Sequence, residues 1–201
     1  MKDTVVVFAR APRLGAVKRR LARDIGDRAA LRFHVATLTR LLRGLIAEKH
    51  FRTVLAITPD RARVSFQVQQ IPQGRGDLGV RMHRVIWQFP RGRVAIIGCD
   101  IPDAGPPDLH AAFRALGSAD AVFGPAADGG YWLVAMSPRR PARPFACVRW
   151  STEHARADTL ANFSGRRVAM LRTLQDVDTA ADLGAQSAAP PSPPPRSGTI
   201  A

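Results

Sequence analysis

The chain has 201 residues, 46% of them hydrophobic, and 30 Lys and Arg against 16 Asp and Glu give it a net charge of +14 and a pI near 11.6. That length and apolar content suit one domain with a well-buried core and exclude a disordered chain, and no run approaches the roughly 18 apolar residues of a membrane helix. Met1-Lys2-Asp3 opens no signal-peptide core, and the two cysteines, Cys99 and Cys147, match no zinc or redox spacing, so a cytoplasmic, disulfide-free protein with no membrane partner is expected.

The first element is "TVVVFA" (4–9), a β-branched and aromatic run that reads as a buried strand. A loop rich in arginine follows, with Arg10, Arg13, Lys18, Arg19, Arg20 and Arg23 around Gly15. Leu31, Val35, Leu38, Leu42 and Leu45 fall at steps of four and three, which predicts an amphipathic helix over 27–49. "TVLAIT" (53–58) is a second strand, and "VSFQVQQ" (64–70) alternates like a half-exposed one. Leu78, Met82, Val85 and Phe89 mark a further helix before the buried strand "RVAIIG" (93–98). Pro106-Pro107 can open a helix through "DLHAAFRAL". "DAVFG", "YWLVAM" and "RVAMLR" read as strands, and Ser151 or Thr152 can cap a helix running to about Phe163. Strands alternating with helices predict an α/β fold with a mostly parallel sheet covered on both faces. From Gly184 onward Ala, Ser and Pro dominate, so residues 1–183 are expected to form one domain and 184–201 a disordered tail.

In such sheets ligands bind beyond the carboxyl ends of the strands. There stand the arginine-rich loop, "CDIPD" with Asp100, "GPAADGGYWL" with Asp128, and "QDVDTAADL" with Asp176, Asp178 and Asp182. Each also has a plain reading. Asp103 and Asp108 can be caps or turn formers, Asp128-Gly129-Gly130 a hairpin turn, and Asp182 the start of a helical turn. The basic loop lacks the P-loop pattern, and "QGRGDLG" is not a dinucleotide fingerprint. The five histidines are dispersed without HExxH spacing, His34 and His83 are expected at the surface or boundary, and Cys99 is expected in the core. Together, a cationic loop, a carboxylate after a central strand and another near the C-terminus suit a phosphate ligand bridged by Mg²⁺.

The segments "FARAPRLGAVKRRLA", "PQGRGDLGVRM", "IIGCDIPD", "VFGPAADGGYWLVAM", "RWST" and "DVDTAADL" resemble, in order, a bacterial GT-A-like family assigned to glycosyl transfer of the arsenosugar-biosynthesis type. That family is related to 2-phospho-L-lactate guanylyltransferases and molybdenum-cofactor nucleotidyltransferases. The resemblance implies one three-layer, Rossmann-like GT-A domain over about Val5 to Leu183. It implies a nucleotide or nucleotide-sugar donor, a small-molecule acceptor and a divalent metal, Mg²⁺ or Mn²⁺. Arg10, Gly15, Lys18 and Arg20 would grip phosphate, and Gln73, Gly74, Asp77 and Gly79 would close over the nucleotide or acceptor. Asp100 and Asp178 would carry the metal, with Asp176 a further candidate, and Asp128 would orient or deprotonate the acceptor. Gly129, Gly130, Tyr131, Trp150, Ser151 and Thr152 would shape the acceptor pocket. The family's usual "KTRLAP" stands here as "KRRLAR", so Arg19 replaces a threonine and Arg23 a proline.

Two other readings stand beside glycosyl transfer. Nucleotidyl transfer to a phosphorylated small molecule would release pyrophosphate. A non-catalytic polyanion- or nucleic-acid-binding protein would use the charge alone. Against the last, the only lysines are Lys2, Lys18 and Lys49, so the charge is nearly all arginine, as a GC-rich genome would produce. Those arginines are scattered without the interleaved aromatics of single-strand binders, so nucleic acid is not the expected partner.

Overall fold

In the computed structural model, which describes residues 2–188, the layers follow from three consecutive valines. They lie on the first strand, β1 (Asp3–Arg10), where successive side chains point to opposite faces. Val5 and Val7 enter a core with Leu38, Leu42 and Leu45 of α2 (Asp27–Ala47) and Leu109 and Phe113 of α4 (Pro106–Ala115). Val6 enters a second core with Met82, Val85 and Ile86 of α3 (Leu78–Ile86) and with Phe123 and Phe163, the latter just past α5 (Ala155–Ala161). The strand is apolar on both faces because helices cover both.

The other strands are β2 (Phe51–Thr58), β3 (Gln69–Pro72), β4 (Val94–Gly98), β5 (Ala121–Pro125), β6 (Tyr131–Met136) and β7 (Val168–Met170). They form one sheet in the order β3-β2-β1-β4-β6-β5-β7. Every pairing is parallel except those of β6, which runs antiparallel to β4 and β5. The carboxyl ends of β1, β4 and β5 therefore share one edge of the sheet. This is the α/β, mostly parallel, three-layer architecture expected.

A third, smaller cluster lies at that edge. Leu21 of α1 (Arg19–Ile25), Ala30 of α2 and Val177 are fully buried together, with Leu183 of α6 (Ala180–Ala188) packed against them. Thr179 and Asp182 cap α6 reciprocally, since Asp182 Oδ2 accepts the Thr179 N–H at 2.8 Å while Thr179 Oγ1 faces the Asp182 N–H at 3.4 Å.

Several expectations need correction. The alternating stretch 64–70 is a strand only from Gln69; the Gln70 amide instead brackets Val64, donating to its carbonyl and accepting from its N–H. The basic loop contains a helix, α1, whose single buried side chain, Leu21, leaves no periodicity to read. The α5 helix begins at Ala155 rather than at Ser151 or Thr152, although Thr152 Oγ1 does accept the His154 N–H at 3.2 Å. His34 is buried, and its Nε2–H donates to the Arg10 carbonyl at 3.0 Å. The α6 helix runs from Ala180 to Ala188, across the expected start of the tail, and residues 189–201 lie outside the described residues. Among the described residues no helix is long and apolar enough to cross a membrane.

Candidate active site

Lys18 stands at the N-cap of α1 in a left-handed conformation, φ 46° and ψ 49°. Its side chain is 5% exposed, and its Nζ lies 3.1 Å from Asp100 Oδ1 and 3.1 Å from Asp178 Oδ1. Asp100 follows β4, while Asp178 arrives from the far end of the sequence. The 176–178 segment is held there by Val177, whose side chain fills the third core and whose N–H points to the Asp100 carbonyl. Arg20 Nη1 adds a longer contact of 3.5 Å to Asp178 Oδ2. Burial works against the Lys18 charge, but the carboxylates of Asp100 and Asp178 outweigh it and hold the ammonium's pKa above its usual value.

Two carboxylates, 52% and 40% exposed, thus converge on one positive group at the mouth of a cleft. Mg²⁺ and Mn²⁺ favour such oxygen donors and are commonly held by one or two carboxylates plus phosphate oxygens. The donor set fits a hard divalent cation, with Asp100 and Asp178 as the residues that could hold it. Asp176 stands close by. Its carboxyl is pushed above the usual range by burial, then by the charges of Asp178 and Asp128, so a further positive charge would relieve it. The buried neighbours His34 and Cys99 bring ligand atoms within 4.8 Å of one another and of an Asp100 oxygen. Burial, then the Asp100 charge, pushes the Cys99 thiol well up.

Asp100 is shared by two recesses. One, of about 190 Å³, is lined by Arg10, Lys18, His34 and Asp178. The other, of about 360 Å³, is lined by Asp128, Gly130, Tyr131, Trp150, Ser151 and Thr152 on one side and by Phe8, Met82, Ile96 and Val134 on the other. The first is charged and the second largely apolar, as a diphosphate and an attached organic group would require. Asp128 lies in the β5–β6 hairpin turn, where its Oδ1 accepts the Gly130 N–H at 2.9 Å. Gly129, at φ 87°, passes so close to the Glu153 backbone that a Cβ would lie 2.3 Å from its carbonyl oxygen. Burial pushes the Tyr131 phenol well up, leaving it a neutral wall.

The 73–79 loop is anchored to the sheet and to α3 by its own hydrogen bonds. The buried Gln73 amide donates to the carbonyls of Ala9 and Ala56 and accepts from Arg81 Nη1, so it ties three strand ends together. Gly74 and Gly76 have positive φ, and Arg84 grips the carbonyls of Gln73 and Arg75. Asp77 caps α3 through the Val80 N–H at 2.8 Å. Gly79 lets Trp150 pack against the helix, since a Cβ there would meet the indole at 2.8 Å. Gly15, at φ 71°, turns the exposed loop ahead of Lys18.

Arg81 was not singled out by the sequence, although it stands four residues after Asp77 on the same helical face. Burial and then the charge of Arg10 lower its pKa, against the opposing charges of Asp77 and Asp60. Arg149 was also missed; its guanidinium forks onto Asp158 at 2.8 Å through both Nε and Nη2 and pins the Trp150 loop to α5.

The profile of the family DUF2064 (uncharacterized protein conserved in bacteria) matches residues 41–152. No curated protein matches the chain. Among solved structures, a Desulfovibrio desulfuricans G20 protein carrying the provisional name nucleotide-diphospho-sugar transferase is 28% identical, with a TM-score of 0.86 over 92% of this chain and 87% of its own. CMP:2-keto-3-deoxy-manno-octonic acid synthetase in complex with CTP is 12% identical, with a TM-score of 0.60 and coverage of 94% and 98%. Rv0371c from Mycobacterium tuberculosis H37Rv in complex with manganese is 16% identical, with a TM-score of 0.56 and coverage of 92% and 97%. At those identities the last two establish likeness of fold.

Proposed function

This chain belongs to the DUF2064 family, and we propose that it is a divalent-metal-dependent transferase that moves a sugar from a nucleotide-sugar donor to a small-molecule acceptor. The arsenosugar-type resemblance implies the same kind of reaction. The observation that carries it is the Lys18 ammonium held between Asp100 and Asp178, beside an apolar cavity that shares Asp100. The 28% identical neighbour named for nucleotide-diphospho-sugar transfer and the manganese-bound neighbour of like fold support it.

In this reading Asp100 and Asp178 would hold Mg²⁺ or Mn²⁺, which when bound would neutralise charge on the donor's diphosphate. Lys18, Arg20, Arg10 and Arg81 bind phosphate oxygens and stabilise the charge that develops on the leaving group. Gly130, Tyr131, Trp150, Ser151 and Thr152 position the acceptor. Asp128 accepts the proton as the acceptor oxygen bonds to the anomeric carbon. The bond from that carbon to the diphosphate oxygen breaks, and nucleoside diphosphate leaves with the electron pair.

The same cationic side chains would also suit a triphosphate, and the CTP-bound neighbour of like fold favours nucleotidyl transfer as a second reading. The test is calorimetric titration with nucleoside di- and triphosphates, with Mg²⁺, Mn²⁺ or EDTA, followed by product analysis with the donor that binds. Metal-dependent binding with release of nucleoside diphosphate is the expected result. Release of pyrophosphate would establish the second reading. Metal-independent binding of every polyanion, fading with salt, would overturn both.

A further inference from the structure

At the opposite edge of the sheet three residues from three elements meet. Glu48 is the C-cap of α2, His50 precedes β2, and His110 stands on the second turn of α4. The eight residues of β2 place this edge roughly 25 Å from the cleft. Glu48 Oε2 lies 3.4 Å from His50 Nδ1 and 3.1 Å from His110 Nε2. One nitrogen of each imidazole and a carboxylate oxygen all fall within 4.8 Å of one another.

The meeting is built by packing. Gly44 and Glu48, four residues apart, share a face of α2, and Pro106 and His110 share a face of α4. A Cβ on Gly44 would come within 3.3 Å of the Pro106 ring, so the glycine sets how closely the helices approach. Phe51 packs against the His110 ring with centroids 5.6 Å apart, and the His50 ring meets that of His110 edge-on at 5.2 Å. Glu48 and His110 are half-buried and positioned, whereas His50 is 79% exposed and able to adjust.

We propose that Glu48, His50 and His110 form a binding site for a borderline divalent cation of the Zn²⁺ class, separate from the cleft. Tetrahedral Zn²⁺, with ligands at 2.0–2.1 Å, separates ligand atoms by about 3.3 Å. The two distances from Glu48 Oε2 bracket that value. Two imidazoles and one carboxylate are a zinc donor set, whereas Mg²⁺ prefers the all-oxygen pair of the cleft. Three protein ligands leave a fourth position for water. Bound there, the ion would clasp the α2–β2 turn to α4 and stabilise the fold by binding only the native state.

The test uses the full chain after chelator treatment, titrated with Zn²⁺ by calorimetry and with Co²⁺ by visible absorbance. The variants are His50→Ala, His110→Gln and Asp100→Asn, each checked by circular dichroism; the exposure of His50 makes its truncation safe for the fold. Wild type and Asp100→Asn are expected to bind one equivalent at this site, with the intense visible band of four-coordinate Co²⁺. His50→Ala and His110→Gln are expected to lose that equivalent or weaken it at least about tenfold. At zinc about 100-fold above its Kd, wild-type Tm should rise by about 5–10 °C, and that rise should vanish in His50→Ala. Zinc bound equally well by wild type and His50→Ala, or not bound by wild type at micromolar concentration, would overturn the proposal. The nucleotide titrations do not bear on it.

Discussion

Lys18 concentrates the chemistry of the cleft in one side chain. A left-handed backbone is uncommon outside glycine and persists where its surroundings enforce it. At its far end the side chain meets two carboxylates, each 3.1 Å from Nζ. Lys18→Ala should weaken nucleotide binding by roughly 10–150-fold, the equivalent of about 1.5–3 kcal/mol for a charge-assisted contact. Arg20, 73% exposed and 3.5 Å from its partner, should matter less, and calorimetry on both variants orders them. Asp100→Asn is expected to abolish metal-dependent turnover with unchanged circular dichroism; full activity would remove Asp100 from the mechanism. Gly79→Ala should act through packing, because its methyl must displace Trp150 or the nearby Phe145 carbonyl. A lower Tm together with weakened acceptor binding, measured by KM, is the expected signature.

At the scale of elements, the cleft depends on two short helices whose hold on the sheet is local. The α1 helix is anchored by Leu21, so Leu21→Ala should cost about 2–5 kcal/mol in denaturant unfolding and weaken nucleotide binding as Lys18 loses its footing. On the other side, α5 carries Asp158, whose carboxyl is held below the usual range by hydrogen bonds from the Arg149 guanidinium and backbone N–H. A carboxyl depressed in the folded state stabilises it above its ordinary pKa, about 3.9, and loses that contribution as pH falls through the folded value. Wild type should therefore lose stability below about pH 4. Asp158→Asn should show a shallower decline over that range in Tm against pH, and a looser Trp150 loop by indole fluorescence.

For the whole molecule, the net charge of +14 sits on a fold in which Asp100 and Asp178 meet at the cleft. The arginines do structural work in several places. Arg93 pairs with Asp3, Arg172 with Asp108, and the buried Arg140 donates to the carbonyls of Phe89 and Gly92. These three guanidiniums are therefore committed to internal partners. We propose the domain as residues 1–183, a boundary that falls within α6. A chain ending at Ala188 should keep its Tm and its nucleotide affinity, and a fall in either would give the remaining residues a structural part.

The sequence by itself determined the strands, the main helices and the α/β class, because buried runs and helical spacing are local signals that burial on both faces of a sheet imposes. It also marked Asp100 and Asp128, since strand ends in such a sheet are where ligands bind, while Asp178 was implied only by the family resemblance. It did not reveal α1, whose one buried leucine carries no period, nor the strand limits at 64–70, where a glutamine side chain replaced a neighbouring strand. Only the tertiary structure brought Lys18 onto a residue 160 positions away, set Arg81 beside Arg10, turned Gln73 inward to the sheet and closed Glu48 and His50 on His110. Those meetings depend on how close two helices or two strand ends can approach, and that distance is fixed by packing among residues far apart in the chain.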